Sequence, residues 1–182
     1  MRKHLILLAL LPILAILNYS VFERETLRRD GELVLLELAP VDPRSIMQGD
    51  YMVLRYSVVQ KANAAWQQIR KDNEEQKAPG NGTGKIVLQL DGQARASFAR
   101  FYKESETLAE NERLISFEFH ASAGVNPIRL MPESFFFQEG YGQAFSLARF
   151  GMMRIGANGA HSLVGLANEA GETISPEQSG AQ

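Results

Sequence analysis

Apolar and polar positions repeat with different periods along this chain, and each period predicts a different element. At the start there is no alternation. Residues 5–22 form an apolar run without Asp, Glu, Lys or Arg, preceded by Arg2, Lys3 and His4. Eighteen helical residues rise about 27 Å, close to the hydrocarbon thickness of a bilayer. The run therefore predicts an N-terminal transmembrane helix that meets lipid through residues 5–22. Pro12 and Asn18 interrupt it, and membrane helices tolerate proline better than soluble ones do. Tyr19 and Phe22 suit the interface at its far end. A cleaved signal peptide needs a small-x-small site, which Asn18-Tyr19-Ser20-Val21-Phe22-Glu23 lacks. A buried soluble helix is the third reading. Arg2 and Lys3 flank one end, while Arg24, Arg28 and Arg29 at the other are offset by Glu23, Glu25 and Asp30. The positive-inside count is therefore close to balanced, and the orientation expected is an N-terminus inside the cytoplasm and a domain outside it.

Residues 23–30 keep a helical pattern for two more turns, and Gly31 suits the left-handed position that ends a helix. Period two then takes over. Residues 32–38 (ELVLLEL) read as a strand. Pro40 and Pro43 bracket a turn in which Asp42 can accept backbone hydrogen bonds. Residues 51–56 read as a second strand, with Met52, Leu54 and Tyr56 on one face and Tyr51, Val53 and Arg55 on the other. Ser57 and Gln60 have capping-box spacing, and Val59, Ala62, Trp66 and Ile69 make one helical stripe behind them. Residues 71–77 are charged, and 79–84 form a glycine-rich loop that includes an Asn81-Gly82-Thr83 sequon.

Further strands are predicted over 85–90, 94–102, 114–120, 128–131, 134–137, 152–155 and 162–166. Asp91-Gly92 and Gly156-Ala157-Asn158-Gly159 supply hairpin turns. Residues 104–112 read as an acidic, solvated connection, 144–149 as a short helix, and 172–182 as a mobile polar tail. In a strand, Phe136 points opposite to Phe135 and Phe137. Core on both faces is the expectation there, and an exposed docking face is the alternative. The fold class expected is α+β: a mainly antiparallel sheet with one amphipathic helix, behind a transmembrane helix. The divisions are an anchor and stalk (1–30), a β-rich domain (31–171) and a tail (172–182).

Composition narrows the function classes. Of 182 residues, 45% are hydrophobic and 22% charged, which suffices for one globular core. The net charge is −2 with the signs interspersed, so no basic stripe for nucleic acid is present. Without cysteine, disulfide and thiolate chemistry are excluded. His4, His120 and His161 show no metal-ligand spacing, and no metal or cofactor is expected. Glu74-Glu75 and Glu110 with Glu112 lie in charged connections where solvation accounts for them. The segment Ser45-Ile46-Met47-Gln48-Gly49-Asp50 faintly resembles the nucleophile region of membrane-bound signal peptidases, which pair a serine with a lysine base. The spacing here is shorter, and Lys85 is the only lysine whose position suits a base.

One motif stands out. Gly49-Asp50-Tyr51-Met52-Val53-Leu54-Arg55-Tyr56 reads G-D-Y-x-x-L-x-Y. It resembles the GDYXXLXY family, membrane-anchored bacterial proteins without an assigned activity. Val41-Asp42-Pro43-Arg44-Ser45 resembles the family's lead-in, as do Phe135-Phe136-Phe137-Gln138-Glu139-Gly140 and Ala148-Arg149-Phe150-Gly151, so that the similarity runs from about Leu33 to about Leu166. Members of that family tend to be encoded beside polytopic membrane proteins, so the resemblance implies a membrane complex. With the orientation expected above, it implies a chain in the bacterial inner membrane with its domain on the periplasmic side. Read physically, Gly49 permits a tight bend, Asp50 caps the preceding turn, and Leu54 and Tyr56 pack inward, Tyr56 needing a hydroxyl partner. The alternative is a small-ligand or partner site at Asp42, Arg44, Asp50 and Tyr51. The leading expectation is a non-enzymatic, membrane-anchored accessory subunit or binding module for an integral membrane partner. An envelope serine hydrolase using Ser45 and a small-ligand module are the alternatives.

Overall fold

The computed structural model describes residues 2–39, 51–72, 80–104, 106–139 and 141–175. Helix α1 (Arg2–Asp30) runs unbroken through the apolar segment and the charged turns behind it. Its described side chains are those of residues 10, 12, 14–19 and 21–30. Among the described residues no helix is long and apolar enough to cross a membrane. The helix ends as Gly31 N–H donates to Leu27 O at 2.9 Å. Gly31 is not left-handed, contrary to expectation. Glycine is required for space instead: a Cβ there would lie 2.4 Å from Leu27 O and 3.2 Å from Arg154 Cβ.

The strands are β1 (Glu32–Glu37), β2 (Tyr51–Val53), β3 (Gly82–Leu90), β4 (Arg95–Phe101), β5 (Glu112–Phe119), β6 (Ile128–Arg129), β7 (Ser134–Phe136), β8 (Phe150–Ile155) and β9 (His161–Ala167). Two further helices are α2 (Ser57–Asp72) and α3 (Gly142–Phe145), the latter beginning earlier than its pattern suggests. A main sheet has the order β6-β5-β3-β4-β1-β8-β9, and β2 pairs with β7 in a separate ribbon. The sheet is antiparallel except where β1 and β4 run parallel, Leu35 beside Arg95 and Leu36 beside Ala96. The fold is α+β and mainly antiparallel, as the alternation predicted.

The main sheet curls until its far parts meet. Ser116 N–H on β5 donates to Gly159 O in the β8–β9 turn at 2.9 Å. His161 Nε2 lies 2.8 Å from Met131 O, just beyond β6. The concave face holds Val34, Leu36, Ile86, Leu88, Ile115 and Met153, all fully buried. Helix α2 covers one end, where Ala62 joins Phe119 and Ile128, with Trp66, Phe98 and Phe101 packed around them. Its stripe does bury Ala62 but leaves Ile69 exposed, and Val58 rather than Val59 is the deepest residue of the first turn. Opposite Phe117, Gly84 leaves room for an aromatic ring that would sit 2.5 Å from any Cβ.

Two expectations about connections are corrected. The connection at 104–112 is not merely solvated: Arg100 Nε donates to Glu106 at 2.9 Å, and its other nitrogens grip Glu112. This cluster lies beside Val87, which pairs with Arg100 in register and is fully buried. The tail does not begin at Glu172. Thr173 bridges to Ala167, Ile174 N–H donates to Leu166 O at 2.8 Å, and Ile174 packs on the core. The turn at 168–172 leans over Leu35, whose Cδ1 would be 3.4 Å from a Cβ on Gly171. Residues 172–174 therefore belong to the folded domain, and its limit lies beyond 171.

Candidate functional site

The motif strand enters the description at Tyr51. Met52, Leu54 and Tyr56 are buried at 4%, 3% and 2% exposure, whereas Arg55 is exposed. The inward and outward assignment made from alternation holds. The segment joins the two sheets. On one side Leu54 N–H donates to Glu133 O at 2.8 Å; on the other Ala39 N–H donates to Arg55 O at 2.6 Å, and Leu38 bridges to Tyr56. Tyr56 finds the partner its hydroxyl needs, donating to Pro132 O at 2.9 Å. Its ring also fills the space above Gly151, where a Cβ would come 3.1 Å from Cε1. Burial, followed by the nearby Glu133 carboxylate, raises its phenol well above the ordinary value. Leu54 and Tyr56 are packing residues that stitch a strand to the rest of the domain.

Tyr51 faces the other way, with its ring 5.6 Å from that of Phe136. Phe136 is 74% exposed, so the expected core on both faces of the phenylalanine run is wrong. Phe135 and Phe137 go inward against Phe145, at 5.1 and 5.2 Å between ring centroids. The outward pair is an aromatic ridge on the surface of the β2–β7 ribbon. Asp42, Arg44, Ser45, Gly49 and Asp50 lie outside the described residues, so Tyr51 is the one member of the predicted binding set with described surroundings.

The motif, its inward packing and the phenylalanine strand opposite it form one unit of the fold. The sequence profile of the GDYXXLXY protein family matches residues 13–166. The chain belongs to the GDYXXLXY family. The match starts about twenty residues earlier than the quoted motifs indicated, inside the apolar run of α1. No curated protein and no solved structure matches this GDYXXLXY protein.

The remaining candidates in the GDYXXLXY domain have ordinary surroundings. His120 sits 3.1 Å from Glu118 on the surface, and His161 closes the seam to Met131. Lys85 is half-buried on β3, and its supposed nucleophile, Ser45, lies outside the described residues. Among the described residues no group of His, Cys, Asp and Glu could hold a metal ion. A cleft of about 1560 Å³ separates the end of α1 from the rim of the curled sheet. Its walls mix Glu23, Glu25 and Glu110 with Arg24, Arg28 and Arg113. Arg113 is held there by Glu32, with 3.0 Å between its Nη2 and Oε1. Asp30, Glu32 and Glu112 line it as well, so carboxylates outnumber guanidinium groups along its walls.

Sequence reasoning missed Asn63. Buried at 5% exposure, its side chain donates to Ile128 O at 3.1 Å and accepts from Ile128 N–H at 3.0 Å, much as a neighbouring strand would. A polar residue one position after Ala62 in an apolar stripe was the available signal.

Proposed function

We propose that this GDYXXLXY protein is a non-enzymatic, membrane-tethered accessory subunit that binds or stabilises an integral membrane partner. In this reading residues 5–22 cross the bacterial inner membrane once, and the β-rich domain stands on the periplasmic side. The observation that carries it is the bare apolar surface of α1. Ile16, Tyr19 and Phe22 are each 69% exposed, Val21 66% and Leu17 56%. Of the described α1 side chains, only Thr26 and Leu27 are even half-buried. A soluble domain gains nothing from such a surface, and lipid is the solvent in which it costs least. Leu54 and Tyr56 serve packing, and the outward Tyr51 shares a surface ridge with Phe136, which supports a binding role above a catalytic one.

The test is affinity capture of the intact chain from membranes solubilised in mild detergent. A stoichiometric polytopic membrane protein is expected to co-purify, and to be lost when the domain after residue 30 is replaced by an unrelated one. Recovery of the chain alone overturns the partner. Release of the full chain into buffer without detergent overturns the anchor.

A further inference from the structure

Among the described residues the outer edge of the β2–β7 ribbon is unpaired, and its hydrogen-bonding pattern is definite. Leu54 N–H donates to Glu133 O, one step beyond the register that pairs Val53 with Ser134, Met52 with Phe135 and Tyr51 with Phe136. Bonded and non-bonded pairs alternate along an antiparallel ladder. Met52 and Phe135 therefore exchange the next hydrogen bonds, and the N–H and C=O groups of Ser134 and Phe136 point away from β2. Among the described residues nothing hydrogen-bonds to them. The same two residues also carry outward side chains, and the Phe136 ring stands 74% exposed beside Tyr51.

A row of unpaired strand groups next to an exposed aromatic is a template for another strand. The backbone groups specify the chemistry of what covers it: an extended segment that offers N–H and C=O groups at alternate residues. This edge offers them to itself. A two-fold axis at Phe135 sets Ser134 of one copy opposite Phe136 of the other, and Phe136 opposite Ser134. Both become hydrogen-bonded pairs, which is the self-complementarity a two-fold interface needs. The two Phe136 rings become diagonal neighbours about 7–8 Å apart on one face, within reach of each other.

We propose that β7 is a self-association edge, at which two copies of this chain join their β2–β7 ribbons into one continuous antiparallel sheet roofed by the Tyr51 and Phe136 rings. The proposal stands apart from the membrane reading and from the partner named above. A short edge makes a weak interface, so covalent trapping is the suitable probe.

The chain has no cysteine, so introduced thiols report alone. Bonded antiparallel partners have Cα atoms about 5.5 Å apart, inside the disulfide range of about 4.4–6.8 Å. Like residues lie on the diagonal, about 7–8 Å apart. Full-length S134C and F136C chains with different tags are mixed in detergent and oxidised with copper phenanthroline. The mixed dimer is expected to exceed either same-variant dimer by about tenfold, since only the mixed pair meets the geometry of a disulfide. In a second measurement, S134P removes an outward N–H that β2 does not use, a position where edge strands accept proline. Sedimentation of the full S134P chain is expected to show monomer at concentrations where the unsubstituted chain dimerises, with an unchanged near-UV circular dichroism spectrum. Equal yields of mixed and same-variant dimers overturn the proposal. So does the absence of any dimer, including a result in which F136C links only to a different protein in intact membranes.

Discussion

Tyr56 shows how the last letter of the motif is fixed by physics at a single side chain. Its hydroxyl is buried and bonded to Pro132 O. Tyr56→Phe leaves that carbonyl unpaired in apolar surroundings, so the expected loss is about 1–2 kcal/mol in denaturant unfolding. The titration has a definite sign. The folded phenol is raised above its ordinary value of 10.0, so the unfolded chain releases the proton first. Stability is full below about pH 10 and falls as pH rises beyond it. The native absorbance titration at 295 nm should retain one late tyrosine that Tyr56→Phe removes. Glu112 behaves in the opposite sense. Arg100, and then Ala109 N–H at 3.0 Å, hold its carboxylate below the ordinary 4.5. Its contribution is present above that value and lost as pH falls below it. Glu112→Gln should flatten the acid limb of the stability curve, and an unchanged limb would show that this ion pair is inert.

Among the elements, helix α2 is tied to the sheet by one amide as well as by its apolar stripe. Asn63 satisfies both backbone groups of Ile128 where the short strand β6 has run out of neighbours. Asn63→Ala strands a donor and an acceptor inside the protein, at an expected cost of about 2–4 kcal/mol. Thermal melting should show it, whereas Gln60→Ala on the exposed face should have little effect. The elements themselves were largely legible. Alternation located β4 and β5, while apolar composition between turn signals located β1, β3 and the β8–β9 hairpin. Alternation also sorted Met52, Leu54 and Tyr56 from Tyr51 and Arg55. What period two does not encode is closure. The bond from Ser116 to Gly159 and the parallel pairing of β1 with β4 join residues far apart in sequence, and no local pattern marks either. The site was less legible for a similar reason. Phe136 reads as one more core phenylalanine, and its exposure follows from the ribbon standing apart from the main sheet.

For the whole molecule, the decisive feature is where α1 leaves the domain. Its grip is confined to the final turns: Leu27 and Gly31 abut β8 and its turn, and Arg154 Nη1 donates to Gly31 O at 2.7 Å. Everything described before Glu23 projects beyond the domain with its apolar side chains bare. Anchor and domain should therefore be thermodynamically separable at that point. A chain that starts at Glu23 keeps Leu27, Gly31 and the whole core. It should unfold within about 0.5 kcal/mol of the detergent-solubilised parent, as expected for a change outside the packed body. It should also stay in the supernatant after alkaline washing of membranes, where the full chain stays in the pellet. Gly31→Ala probes the same junction from the other side. Its new Cβ meets the backbone oxygen of Leu27 at 2.4 Å, an atom that no side-chain rotation can move aside. The helix end must shift, and the bond from Arg154 with it. The expected result is faster hydrogen exchange across residues 26–31 with membrane retention unchanged, because the proposed anchor places retention in residues 5–22 alone. Loss of retention in Gly31→Ala would instead make the stalk contact part of the anchor.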